Sequence, residues 1–223
     1  MNTFATTAAV STVLDIPAGR VRLVAADRAD AAVEVRPMDA AKGRDVKAAE
    51  ETTVEFRDGV LRIAAAPGRS RVMGNSGQVE VTVQLPAGSH VTATVAAAEF
   101  RTAGPLGELV FEGAQAEVTV DEATSARLTL QAGDVVLGRL NGPAEISTQK
   151  GDITIAEATK GDVILTTQHG TISVGAAPGV SATLDAGTSY GRIHNALNNT
   201  DGAAAALTIR ATTSYGDITA RSL

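Results

Sequence analysis

The segment GDITIAEATKGDVILTTQHGTISV, residues 151–174, contains one short unit three times. Each copy opens on glycine (Gly151-Asp152, Gly161-Asp162, Gly170-Thr171) and continues with apolar residues at alternate positions: Ile153 and Ile155, Val163 and Leu165, Ile172 and Val174. Alternation with period two marks a strand that buries one face. Glycine at the start of each unit suits a corner too tight for a Cβ.

The same beat extends in both directions. Upstream units begin near Gly107 (GELVF), Ala116 (AEVTV), Ala126 (ARLTL), Gly133 (GDVVL) and Ala144 (AEIST). Downstream they begin near Ser181, Gly191, Leu207 and Gly216, and most steps are 9 or 10 residues, widening between Gly191 and Leu207. A hairpin meander would need turn pairs such as Asn-Gly at alternate junctions. Only Asn141-Gly142 resembles one, whereas Gly-Asp recurs from junction to junction. Two units therefore make one coil, and stacked coils align their strands in parallel ladders about 4.8 Å apart. This reading predicts an inward stack of Val118, Val135, Ile153 and Ile172 on one wall, and of Leu128, Ile146, Val163 and Leu184 on the other.

The amino-terminal part alternates too, at Val21 and Leu23, Val33 and Val35, Val54 and Phe56, Leu61 and Ile63, and from Val79 to Leu85. Ile16-Pro17-Ala18-Gly19 and Leu85-Pro86-Ala87-Gly88 read as turns between strands. Residues 38–51 are Ala-rich and charged, and leave a helical turn or two and a surface loop equally open. The expected architecture is all-β: a parallel β-helix forming a single domain over 1–223, less regular over 1–90 and regular over 91–223.

Composition fits that narrow interior. Of 223 residues 41 are Ala, aromatics make up 3%, and Trp is absent. With no Cys, a disulfide framework, a thiolate metal site and a Cys nucleophile are excluded. A net charge of -6 argues against a phosphate-binding surface, so nucleic acid is not an expected partner. No run approaches the roughly 20 apolar residues of a membrane span. The first 14 residues carry no basic n-region or unbroken apolar stretch, so the expected location is cytoplasmic.

The repeats resemble those of the putative-adhesin family of bacterial β-strand-repeat proteins, a domain of unknown function. The most specific part is Thr188-Ser189-Tyr190-Gly191-Arg192-Ile193-His194-Asn195, followed by Thr213-Ser214-Tyr215-Gly216-Asp217-Ile218-Thr219. It is similar to that family's tandem carboxy-terminal motif, in which an aromatic-Gly pair opens each of the last strands. Residues 21–37, Asp45-Val46-Lys47-Ala48-Ala49-Glu50 and residues 79–86 extend the match to nearly the whole chain. The resemblance implies a right-handed β-helix and no established catalytic residues.

Candidate chemistry is sparse. Asp134 and Asp152, 18 residues apart, fall on successive coils, with Asp162 on the opposite wall. Paired carboxylates suit Ca²⁺, but Thr171 interrupts the stack, and carboxylates that accept backbone N–H groups at coil corners are the better account. Glu145, Asp152 and Glu157 are the nearest approach to a glycosidase pair, yet the repeat region offers almost no aromatic sugar platform before Tyr190. His90, His169 and His194 are scattered without metal-ligand spacing, and His169 aligns with Lys150 and Lys160 as a solvent-facing corner residue. The Gly-rich, basic stretch Gly68 to Gly77 lacks the ending of a phosphate loop.

Tyr190, Arg192, Tyr215 and Asp217 form the candidate interaction or capping surface: as equivalent positions of adjacent repeats, the two rings are expected to stack with Arg192 and Asp217 beside them. No catalytic, metal or cofactor residue is nominated. The expected function is a non-enzymatic binding or scaffold protein for an unknown protein or glycan, with ladder faces built from residues such as Thr119, Thr129, Thr154 and Gln168. The alternative is a self-assembling, bactofilin-like structural protein associating through solenoid ends. A polysaccharide-active enzyme is a distant third.

Overall fold

The computed structural model describes residues 1–6, 8–65 and 77–223. Most of the Gly68–Gly77 stretch lies outside them. In chain order the elements are β1 (Asn2–Ala5), β2 (Ser11–Ala26), β3 (Asp30–Pro37), α1 (Gly43–Glu51), β4 (Thr53–Arg57), β5 (Val60–Ala64), β6 (Val79–Pro86), β7 (His90–Ala103) and β8 (Pro105–Ala132). There follow β9 (Val135–Leu140), β10 (Ala144–Lys150), β11 (Ile153–Ala158), β12 (Gly161–His169), β13 (Ile172–Ala176), β14 (Ala182–Tyr190), β15 (Ile193–Ala196), β16 (Leu207–Tyr215) and β17 (Ile218–Ser222). The fold is all-β, mostly parallel and solenoid-like. The chain forms two compact units, Met1–Ala116 and Glu117–Leu223.

In the first unit, β2 lies parallel to β5 and β6 on one side and to β7 on the other. The pairings of β1 on β3, β3 on β6 and β4 on β5 are antiparallel. Phe4 stacks on Phe56, ring centroids 5.2 Å apart, and the fully buried Phe100 and Phe111 meet at 5.0 Å. The Ile16–Gly19 segment is a bend inside continuous β2, not a turn: Gly19 has φ +136°, and a Cβ there would lie 1.9 Å from the Val79 carbonyl oxygen. The second such tetrapeptide does turn the chain, with Gly88 at φ +75° between β6 and β7.

Residues 43–51 take the helical option, carried by the good helix formers Lys47, Ala48, Ala49 and Glu50 and by a Lys47–Glu51 pair at 3.6 Å. Asp45 of this helix is buried and accepts the backbone N–H of Gln78 at 2.9 Å, tying α1 to the approach of β6.

The second unit is two walls of parallel strands. On one, the register runs Val118, Val135, Ile153, Ile172, Ile218, Ile193, which contains the predicted inward stack in the predicted order. On the other wall Leu128 stacks on Ile146 as expected, but Ile146 meets Leu165, and Val163 belongs two residues away in the column of Ala144, Ile209 and Leu184. With every second residue inward, period-two spacing fixes the face but leaves slips of two undetermined. Asn141-Gly142 is a corner between strands of different walls and not a hairpin turn; a Cβ on Gly142 would meet the Thr124 carbonyl oxygen at 2.5 Å.

The stacking order also departs from chain order. The final coil, β16 and β17, inserts between the coil of β12 and β13 and that of β14 and β15. The widened interval between Gly191 and Leu207, with a short 3-10 turn at Gly202–Ala204, carries the chain back for this insertion.

Candidate functional site

The two walls meet at a corner whose sequence repeats as Thr-x-x-Gly: Thr148 to Gly151, Thr167 to Gly170, Thr213 to Gly216 and Thr188 to Gly191. Successive glycines approach so closely that a Cβ on Gly151, Gly170, Gly216 or Gly191 would lie 1.9–2.1 Å from the carbonyl oxygen of the glycine in the adjacent coil. Gly151 and Gly216 also hold φ of +146° and +149°. Glycine is therefore fixed twice over, by backbone conformation and by contact.

Threonine completes the corner. The hydroxyl of Thr167 donates to the Gly151 carbonyl at 3.1 Å, that of Thr213 to Gly170 at 3.0 Å, and that of Thr188 to Gly216 at 3.1 Å. Thr148, Thr167 and Thr213 are each 2% exposed. The sequence reading passed over these threonines, although their fixed spacing three residues before each corner glycine is visible in the repeats.

The aspartates that follow the glycines also serve the ladder. Asp134 accepts the N–H of Asp152 at 2.9 Å, Asp152 accepts that of Thr171 at 2.7 Å, and Asp217 accepts that of Arg192 at 2.8 Å. The bonds run between coils, so each carboxylate ties its own layer to the next. The proposed glycosidase set is dispersed: Glu145 faces Arg127 at 3.3 Å, Glu157 pairs with Arg139 at 3.0 Å, and Asp152 is engaged at the corner. His90 accepts the N–H of Glu108 through Nδ1 at 3.0 Å and belongs to the first unit, whereas His169 and His194 belong to the second.

One residue before each corner glycine, the register aligns Lys150, His169, Tyr215 and Tyr190 in a single column. The rings lie nearly parallel: His169 on Tyr215 at 4.9 Å and 11°, Tyr215 on Tyr190 at 4.9 Å and 4°. Tyr190 and Tyr215 are 67% and 50% exposed. The predicted pairing of the tyrosines, with Arg192 and Asp217 joined beside them, is thus present as geometry. His169 is a third member of the stack, while Lys160 lies at a different corner, before Gly161 opposite Leu207. An exposed run of three rings with a lysine at one end offers hydroxyl and imidazole edges at a fixed spacing.

Residues 8–221 match the model of the Toastrack DUF4097 family. Among solved structures, a "putative adhesin" from Bacteroides fragilis aligns with 13% identity and a TM-score of 0.52, over 98% of this chain and 95% of that one. A "putative adhesin" from Parabacteroides distasonis aligns with 16% identity and a TM-score of 0.52, again over 98% and 95%. At these identities the likeness is one of fold alone. No curated protein matches the chain. No helix among the described residues is long and apolar enough to cross a membrane.

Proposed function

The chain belongs to the Toastrack DUF4097 family, and from that membership and the corner geometry we propose that it is a non-enzymatic binding or scaffold protein built as a right-handed parallel β-helix. The observation that carries this reading is the exposed ring column of His169, Tyr215 and Tyr190, continued by Lys150. Rings held in register by a backbone ladder have already lost their rotamer freedom, so little entropy remains to be lost when a partner docks. Aromatic edges with adjoining polar groups suit a protein or glycan surface. Flanking the column, Thr129, Ser147, Thr166 and Thr212 align as a polar stripe on the outer face.

The proposal includes a location in the cytoplasm. Protease shaving of intact host cells should leave it uncut; cleavage from outside would move the search to extracellular ligands. The site itself is tested by presenting the full chain and a His169→Ala, Tyr215→Ala double variant to the same glycan array and host extract. Ligands that bind the wild type and are lost from the variant support the corner as the recognition surface. Equal binding by both removes it.

A further inference from the structure

One coil of the second unit is stacked on one side only. β14 pairs with β16 and β15 with β17, and among the described residues no strand lies along their other edges. Every device that joins one coil to the next is half-made there. Ile193 stands in the inward column and is 46% exposed, whereas Val118, Val135, Ile153, Ile172 and Ile218 are at most 1% exposed. Leu184, also inward, is half-buried, while Val163 and Ile209 of its column are 0% exposed. Tyr190 rests one ring face on Tyr215 and leaves the other bare.

The edge is also unguarded. Natural edge strands are commonly blunted by lysine, proline or a covering element. β14 (Ala-Thr-Leu-Asp-Ala-Gly-Thr-Ser-Tyr) has neither Lys nor Pro, and among the described residues the neighbouring loop bonds to its first residue alone, where the Asn198 carbonyl accepts the N–H of Ala182 at 3.0 Å. In the first unit the outlying strands β1 and β4 are held antiparallel, and their Phe4 and Phe56 are half-buried against each other. No comparable inward column is open there among the described residues.

We propose that the coil 182–196 docks on the same coil of a second copy of this chain. The open coil carries both halves of a contact, the bare ring face of Tyr190 and the exposed Arg192 on either side of Gly191, so a second copy of the same coil complements it. A two-fold axis beside the Gly191 corner exchanges the two walls, laying β14 of each copy antiparallel along β15 of the other. It covers Ile193 and brings the bare face of Tyr190 towards Arg192 of the second copy. Arg192 is exposed, and its guanidinium has no acidic partner among the described residues. A guanidinium over a tyrosine face is favourable. Because the surface matches itself, assembly closes at two copies and does not grow into a filament. This inference stands independently of the binding role of the column, since the edges of His169 and Tyr215 stay open in the dimer.

Sedimentation velocity across a dilution series tests it. The wild type should reach twice the chain mass of 22.6 kDa at high concentration and fall to that mass on dilution. The chain has two Tyr and no Trp, so its intrinsic emission reports on this stack alone and should change over the same range. Ile193→Lys should remain monomeric with an unchanged far-ultraviolet spectrum. Ile164→Lys, on an outer wall where Ile164 is 38% exposed, should dimerise normally. Should Ile193→Lys fail to fold, Arg192→Ala serves instead, with a dissociation constant raised about tenfold. A wild type monomeric throughout, open-ended polymers, or a dimer indifferent to changes at 192 and 193 would each overturn the proposal.

Discussion

A Cβ placed on Gly170 would sit 2.0 Å from the carbonyl oxygen of Gly151, one coil away. The obstacle is backbone, so no side-chain rotation relieves it. Gly170→Ala should therefore lower stability by about 1–3 kcal/mol, the usual cost of overpacking. Gly187→Ala, where nothing lies within 4 Å of the added atom, should stay within about 0.5 kcal/mol of wild type. Urea midpoints at constant m-value decide between them, and equal losses at both sites would refute the close-approach account.

Thr167 tests the hydroxyl ladder separately from the packing. Its side chain is 2% exposed and donates to the Gly151 carbonyl at 3.1 Å. Thr167→Val keeps the shape and removes the donor, so a loss of about 1 kcal/mol is expected. Thr166→Val, at an outward position of the same strand, should change stability little.

The carboxylate ladder makes a chemical distinction. Asp152→Asn keeps an oxygen to accept the Thr171 N–H, whereas Asp152→Ala leaves that N–H without its protein partner. The alanine variant should be the less stable of the two by about 1 kcal/mol, with thermal unfolding as the readout. If a bound cation and not the hydrogen bond were the purpose of these acids, the asparagine variant would suffer as well, and added Ca²⁺ would stabilise the wild type alone.

In the first unit, Glu99 is held below its ordinary value of 4.5, chiefly by its hydrogen bond with Arg20 at 2.9 Å, with Arg101 adding to the effect. A carboxyl whose folded pKa is depressed contributes stability above its unfolded value and loses it as pH falls through the folded one. The stability gap between wild type and Glu99→Gln should accordingly be widest near neutrality and narrow below about pH 4.5. The pair is exposed enough that the gap is small and shrinks with added salt. A gap independent of pH would mean that the substitution acts through packing.

The class of fold, the Gly-opened corner, the column Val118, Val135, Ile153, Ile172 and the pairing of Tyr190 with Tyr215 were all legible in the sequence. These are local facts: alternation dictates which face is buried, and a repeated glycine dictates where the chain turns. The sequence left residues 43–51 open between helix and loop, since Ala-rich charged stretches serve either. It misread Ile16–Gly19 as a turn because Pro and Gly punctuate bends and turns alike, and only the close approach of Val79 tells them apart.

The register of Val163, the entry of His169 into the ring stack and the place of the last coil follow from how the layers pack and not from the repeat pattern. An inward residue is equally inward two positions along, so the slip costs nothing that a pattern can record. The insertion of β16 and β17 between coils that precede them in the chain leaves Ile193 exposed while burying its sequence equivalent Ile218. Identical motifs thus have opposite environments, because burial is set by which layer lies above, and no residue encodes that alone.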